Sequence, residues 1–575
     1  MNRNKEWMAV VRGEAPADLL LTGAKIVNVY TGEILEQSLA VHQGRFAGFG
    51  DYEAKDTIHL KGLFLIPGFI DAHVHIESSM AAPSQFVKTV LPRGTTAVVA
   101  DPHEIANVLG KEGIQYMLDA SENQPMDLFF TLPSCVPATH METAGARLEA
   151  EDLEPFLSHP RILALAEMMN FPGVIFGDPG VHAKIKASHG AGKPVDGHAP
   201  GLSGKALNAY LSAGIASDHE CTTAEEALEK MRGGMHIMVR EGTCAQNLYG
   251  LLPALNEQTC RRMMWCTDDR HPHDLMQEGH VDDIVRRAIA EGVDPVTAIQ
   301  MATLNPAEYF GLRDRGAIAP GLQADFLVVR DLDALHIDAV YVKGRLVAEK
   351  GQLAADIVLP ETHSPPESMR LREDQLDFSI PAEGKRIRVM EVIPGQVVTA
   401  SLVMDACIRD GLAVADPEQD LVKLAVVERY TGSAGCGMGF VRGLGIRKGA
   451  LASSVGHDSH NLIVAGDTDD DMRTAAEAVI AMKGGMVVVK EGRVVASLSL
   501  SIAGLMSTAA MEDIDAAMAD LIREAKALGC TPADPFMTVG FLSLPVIPSL
   551  KLTDKGLVDV DRFERVPLFL EEGRE

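Results

Sequence analysis

Eight short apolar segments recur between residues 65 and 267, and they constrain most strongly what this 575-residue chain can fold into. They are Leu65–Ile70, Thr95–Ala100, Leu128–Thr131, Ile162–Ala166, Lys193–Asp196, Gly214–Ser217, Ile237–Val239 and Met264–Thr267. Stretches with helical spacing, such as Gly204–Ala213 and Ala224–Met231, lie between them. Alternating strands and helices predict a parallel sheet, and eight such units in roughly 250 residues predict a closed (β/α)8 barrel. A doubly wound open sheet is the alternative. No Gly-x-Gly-x-x-Gly opens the first unit, so a dinucleotide site has no support.

Two β-rich segments bracket this region. Ala24–Tyr30 and the hairpin Ser38–Phe49 precede it; Ala324–Val329 and Val340–Val347 follow it. A third hairpin with the same Gly-Arg turn, Val487–Val495, lies far downstream. The two brackets are expected to pair into one small sheet domain. Residues 352–383 are rich in Pro, Glu and Asp and read as a linker. Beyond it, Gly-rich turns at 432–447 and helical runs at Asp469–Met482 and Ile514–Leu528 predict a separate α+β block. The expected division is a composite β domain (1–65 plus 316–365), a barrel (66–315) and a C-terminal α+β domain (384–575).

In a (β/α) barrel the chemistry lies at the C-terminal ends of the strands. Here the first strand candidate runs into His73-Val74-His75, the second into Asp101-Pro102-His103-Glu104, the fourth into Glu167. The fifth leads to His198, the sixth to His219-Glu220, the eighth to Asp268-Asp269-Arg270-His271. Side chains alternate along a strand, so His-x-His puts both imidazoles on one face, where they can share one divalent ion. Singly, each residue has a plainer reading: Glu167 as a helix cap, His198 and His219 as satisfied core histidines, Asp268 as an N-cap. Their joint placement at successive strand ends favours two ions bridged by a carboxylate.

The balance of charge narrows the partners. With 52 Lys+Arg against 80 Asp+Glu, the net charge of -28 repels nucleic-acid phosphates and anionic lipid heads, leaving a small neutral or basic substrate. The eight cysteines are scattered without Cys-x-x-Cys, as in a reduced, cytoplasmic protein. No apolar run is long enough to span a bilayer, and the N-terminus does not read as a signal peptide.

Several stretches together resemble the amidohydrolase superfamily: PGFIDAHVHIESSM (67–80), DPHEIANV (101–108), PSCVPAT (133–139), LAEMMNFPGV (165–174), DGHAPGLSG (196–204), SDHE (217–220) and TDDRHPHDL (267–275). The HIESS, DPHE and AEMMN pieces, with SSVGHDSHNLIVAG (453–466), narrow the resemblance to bacterial-type adenine deaminases over essentially the full length. The resemblance implies a metal-dependent hydrolase barrel with a small composite β-sandwich and an extra C-terminal domain. It implies hydrolytic deamination of adenine to hypoxanthine and ammonia, in purine salvage. His73 and His75 would bind one ion, His198 and His219 a second, with Glu167 bridging where many relatives use a carboxylated lysine. Asp268 would bind the first ion and handle the proton of a shared hydroxide that attacks C6.

Nitrogen and oxygen donors suit Mn, Fe or Zn, and the resemblance favours Mn(II) or Fe(II). Glu77, His103, Glu104 and Glu220 are the candidate proton donors, although Glu220, next to a ligand, is expected to point away. Ser78, Glu220 and Asp269 are the candidate substrate contacts. His457–His460 is expected to form a loop over the site or an interface. A homodimer or larger assembly is expected.

Cys135 and Cys221 do not supply the Cys/His signature of the nucleic-acid deaminases. A cyclic-amide hydrolase is disfavoured by the missing lysine, a cytosine-type deaminase by Ala-Pro-Gly after His198, and a non-catalytic scaffold by the intact ligand set.

Overall fold

A computed structural model of the protein describes residues 5–361, 363–433 and 435–570. Eight parallel strands follow one another: β1 (Phe69–Val74), β2 (Thr95–Ala100), β3 (Asp127–Leu132), β4 (Ile162–Met168), β5 (Val195–Gly197), β6 (Ser217–Asp218), β7 (His236–Arg240) and β8 (Met263–Cys266). β1 to β5 form one sheet in sequence order and β6 to β8 another. Single parallel bridges join the two at both edges, Val195 to Ile215 and Val74 to Asp268.

Strands in such an arrangement are covered on both faces, so they read as unbroken apolar runs. The period of two still decides which core each residue joins. Ala97 and Val99 pack inward with Ile70, Ala72, Met238 and Met264. Val98 and Ala100 face outward onto a core shared with the surrounding helices. One of those helices, Ala224–Arg232, starts where the Thr223 side chain accepts the Glu226 backbone N–H, satisfying a first-turn donor.

The first strand candidate, 65–70, is two strands. Phe64–Pro67 pairs antiparallel with Phe326–Val329 and parallel with Lys25–Asn28 in a separate seven-stranded sheet. Gly68 separates it from β1, because a Cβ there would come within 2.3 Å of Thr96 Oγ1. Lys25–Asn28 and Phe64–Pro67 thus share one sheet with Phe326–Val329 across more than 250 residues of chain, while the strands of the expected 38–49 hairpin, Leu39–His42 and Arg45–Phe49, lie in a separate four-stranded sheet. The repeated Gly-Arg hairpins have one physical cause. Gln43-Gly44, Lys343-Gly344 and Glu491-Gly492 each place two successive residues at positive φ, the geometry of a type I′ turn that matches strand twist.

The C-terminal region is built on an eight-stranded sheet running in spatial order from Thr399–Asp405 to Arg493–Ser499. Its central strand Leu421–Val427 turns Val422, Leu424 and Val426 to the large core and Ala425 and Val427 to the opposite face. Helix Asp469–Ala481 covers that opposite face, and the supposed linker covers it too. Met369, Leu371, Leu376 and Phe378 are buried there, so residues 369–378 are packing elements and not a free tether. The Gly-rich stretch at 432–447 likewise contains a strand, Cys436–Arg442. Its Gly437 gives room to another backbone segment: a Cβ would lie 1.9 Å from Thr553 O. Among the described residues, no helix is long and apolar enough to cross a membrane.

Candidate metal centre

The end of β1 aims two imidazoles into one space. Asp71, fully buried, accepts the His73 backbone N–H (3.2 Å) and the Thr267 hydroxyl (2.5 Å), tying the end of β1 to that of β8. His73 and His75 then converge with their Nε2 atoms 3.2 Å apart. Asp268, after β8, brings Oδ1 to 3.0 Å from His75 Nε2 and 3.5 Å from His73 Nε2. Its backbone sits at φ +56°, a strained conformation for aspartate that aims the carboxylate.

Glu167 divides the centre in two. Oε1 faces the first histidine pair, 3.4 Å from His75 Nε2 and 4.0 Å from His73 Nε2. Oε2 faces the second, 2.6 Å from His198 Nδ1 and 3.2 Å from His219 Nε2. One nitrogen or carboxylate oxygen from each of His73, His75 and Asp268 lies within 4.8 Å of the others, as does one from each of His73, Glu167 and His219. All six expected metal residues therefore converge. His219 is fully buried, yet neither ring nitrogen makes a hydrogen bond. Buried polar atoms rarely go unpaired, and an imidazole lone pair beside carboxylates in this way fits a divalent ion.

The charges are compatible with that reading. Burial opposes ionisation of Glu167, but the imidazoles of His198, His219 and His75 around it hold its carboxyl well below the usual carboxylate range. Burial opposes ionisation of Asp268 as well, and Arg240, His73 and His75 hold it well below its ordinary value.

The expected proton donors and substrate contacts surround this core. His103 Nδ1 lies 3.0 Å from Asp101 Oδ2 and 3.3 Å from Glu167 Oε1, with Nε2 3.5 Å from Glu104 Oε1. Glu77 accepts the Ile105 N–H on Oε1 (3.2 Å), while its buried Oε2 has no partner. Burial pushes the Glu77 carboxyl up to about 7. Burial also works against the Glu104 charge, but His460, His457 and His103 keep that carboxyl well below its normal range. Ser78 donates to Asp269, linking the first and last strand ends at the rim. A cleft of about 1130 Å³ opens above the centre, lined by Glu104, Glu167, Asp268 and Asp269 and walled by residues 392–399 and 531–547.

Glu220 departs from expectation. Its side chain turns into the site, paired with Arg240 and with Oε1 3.6 Å from His219 Nε2 and 3.7 Å from His198 Nδ1. Arg240 draws it there and also donates to Asp268 Oδ2 at 2.8 Å. Arg240 itself ends β7, the one late strand end to which sequence reading gave no residue; the strand-end rule was the available signal. Asp196 also escaped. Its Oδ2 lies behind the rings, 3.3 Å from His73 Nδ1 and 4.0 Å from His219 Nδ1. The expected loop over the mouth is present at 457–460, where His457 and His460 both reach Glu104.

Comparison with known proteins bears on the whole chain. An amidohydrolase family model matches residues 64–347, and a model of the adenine deaminase C-terminal domain matches residues 396–564. An adenine deaminase of Desulfatibacillum aliphaticivorans is 55% identical over 562 residues, covering 98% of this chain and 99% of its own. One from Dehalococcoides mccartyi is 48% identical over 567 residues, covering 98% of each.

Proposed function

The chain belongs to the adenine deaminase family of the amidohydrolases and deaminates adenine hydrolytically; we propose that it does so at a binuclear centre held by His73, His75, Glu167, His198, His219 and Asp268. The observation that carries this is Glu167, whose two carboxylate oxygens each face a different histidine pair. His73, His75, Asp268 and Oε1 would hold one ion; His198, His219 and Oε2 the other. Two such ions, when bound, would supply a nucleophile by bringing the pKa of water toward neutrality. Nitrogen and oxygen donors without thiolate admit Mn(II), Fe(II) or Zn(II), and the first two are our choice.

The chain's own residues do the rest. Asp268, pinned through Oδ2 by Arg240, keeps Oδ1 toward the first histidine pair and takes up the proton of the attacking water. His103 and Glu104 line the cleft and Glu77 a smaller pocket that shares Glu104 with it, near where a ring nitrogen must be protonated and the departing amine needs a proton. Glu77 is favoured as the donor by its unpartnered buried oxygen. Ser78, Asp269 and Glu220 frame the purine. We read the two bridged parallel sheets as one (β/α)8 barrel (66–315), flanked by the composite β domain (1–65 plus 316–365) and the C-terminal domain (384–575). A cytoplasmic homo-oligomer without nucleic-acid or membrane partners completes the reading.

The test is ammonia release from adenine by protein reconstituted with Mn(II) or anaerobic Fe(II), beside a His73→Ala control. Release that vanishes in the control is expected. Absence of release from fully metallated protein would remove adenine as the substrate.

A further inference from the structure

Glu104 lies in the first turn of helix His103–Leu109, just past the end of β2, and borders the cleft above the metal centre. Its two oxygens are held from the other end of the chain. His457 Nδ1 lies 2.9 Å from Oε1, and His460 Nε2 is hydrogen-bonded to Oε2. Which ring nitrogen of His460 carries the proton is fixed by the backbone of Gly456, at the start of the same loop. The Gly456 N–H donates to His460 Nδ1 at 3.2 Å, so Nδ1 presents a lone pair and Nε2 the N–H. His460 is therefore a neutral donor aimed at Glu104, and burial, which lowers its basicity, favours the same state.

The loop that carries the two rings is anchored. His457 stacks on Phe541 with ring centroids 4.6 Å apart and planes 16° apart. The fully buried Arg429 donates through Nε to His460 O (2.6 Å) and through Nη2 to Ala503 O (2.9 Å). A carboxylate oxygen has two lone pairs, so Oε2 keeps one for a ligand, while the second on Oε1 faces His103 Nε2 at 3.5 Å. Adenine offers matching N–H groups, on its exocyclic amine and its five-membered ring.

We propose that His457 and His460 are positioning residues for deamination: they fix Glu104 as a carboxylate oriented to accept purine N–H groups, so the C-terminal region completes the barrel's active site. This rests on the adenine reading above. Loss of either donor frees Glu104 to rotate and leaves its charge under-satisfied beside the substrate. The metal ligands are untouched by such a loss.

The side-chain geometry gives a selective test. An asparagine amide nitrogen occupies nearly the place of histidine Nδ1, and a glutamine amide nitrogen nearly that of Nε2. His457→Asn and His460→Gln therefore keep the donor, while His457→Gln and His460→Asn misplace it. Full-length protein carrying each of the four changes is loaded with Mn(II), counted for metal and assayed for ammonia release from adenine beside the wild type. A hydrogen bond to a charged group predicts a loss of about ten- to hundredfold in kcat/KM for the misplacing member of each pair, and within about threefold of wild type for its partner. Two ions per chain are expected in all four. Equal activity within each pair overturns the proposal, as does a loss that follows metal content. Wild-type release in the same assay separates either result from a failure of adenine as the substrate.

Discussion

Asp196 touches no expected ligand position in the sequence, yet it stands behind one histidine of each pair, and replacing it by asparagine should weaken one ion selectively. The orientation of the new amide is set by existing contacts. Ser217 Oγ and the Gly197 N–H both donate to Asp196 Oδ1, at 2.5 and 2.9 Å. An asparagine carbonyl must therefore take the Oδ1 place, which leaves the amide nitrogen where Oδ2 was. That nitrogen then faces His73 Nδ1 at about the present 3.3 Å, donor against donor. His73 relieves the clash by moving its proton to Nε2, the atom turned toward Glu167 and Asp268, and a protonated nitrogen cannot ligate. Loss of an outer partner of a metal-binding histidine costs about 10- to 100-fold in metal affinity. By the usual conversion this is about 1.4–2.8 kcal/mol. His219 Nδ1 lies 4.0 Å from the same oxygen, beyond hydrogen-bond reach, so the second ion should be nearly unaffected. Titration of the metal-free variant with Mn(II) against a competing chelator should resolve one weakened and one unchanged equivalent. Two unchanged equivalents, or two weakened alike, would refute the tautomer argument.

Other perturbations test the frame around the site. Burial raises the Glu142 carboxyl to about 8, against an ordinary value of 4.5. The native chain keeps a proton that the unfolded chain releases, so this group's contribution to stability falls as pH rises through that window. Glu142→Gln should gain in Tm on the wild type between about pH 5 and pH 8, whereas a constant offset would contradict the assignment. Gly437→Ala would drive a Cβ against Thr553 O, and chemical denaturation should show a loss of about 1–3 kcal/mol; wild-type stability would mean that the 553–556 turn moves freely. Trp265→Phe removes the buried bond from Nε1 to Ala298 O (2.9 Å) and should cost about 1–3 kcal/mol in a urea melt, with a full metal complement retained.

What could be read in advance divides along physical lines. The eight strands are legible because strands covered on both faces carry continuous apolar residues, and the candidate metal residues because a strand end is a local address. Leu65–Pro67 was joined to β1 because an apolar run records burial but not which sheet buries it. The 369–378 segment reads as part of a tether because its own acids and the prolines on either side of it, Pro365, Pro366 and Pro381, speak of exposure. The contrary signal, Met369, Leu371, Leu376 and Phe378, acquires meaning only against the sheet face and helix that they cover. The direction of Glu220 depended on Arg240, twenty residues away, and Asp196 acts through rings that reach the site from other strands.

Glu104 is the extreme of the same dependence. Its partners lie more than 350 residues onward, in a region with no barrel pattern of its own. The amidohydrolase match, at 64–347, encloses every candidate metal ligand but neither donor to Glu104. If the hydrogen bonds from His457 and His460 set the rate as argued above, metal binding and turnover are encoded in different parts of the chain. They should then separate under mutation: Asp196→Asn should weaken the binding of one ion, and His460→Asn should slow turnover with both ions in place.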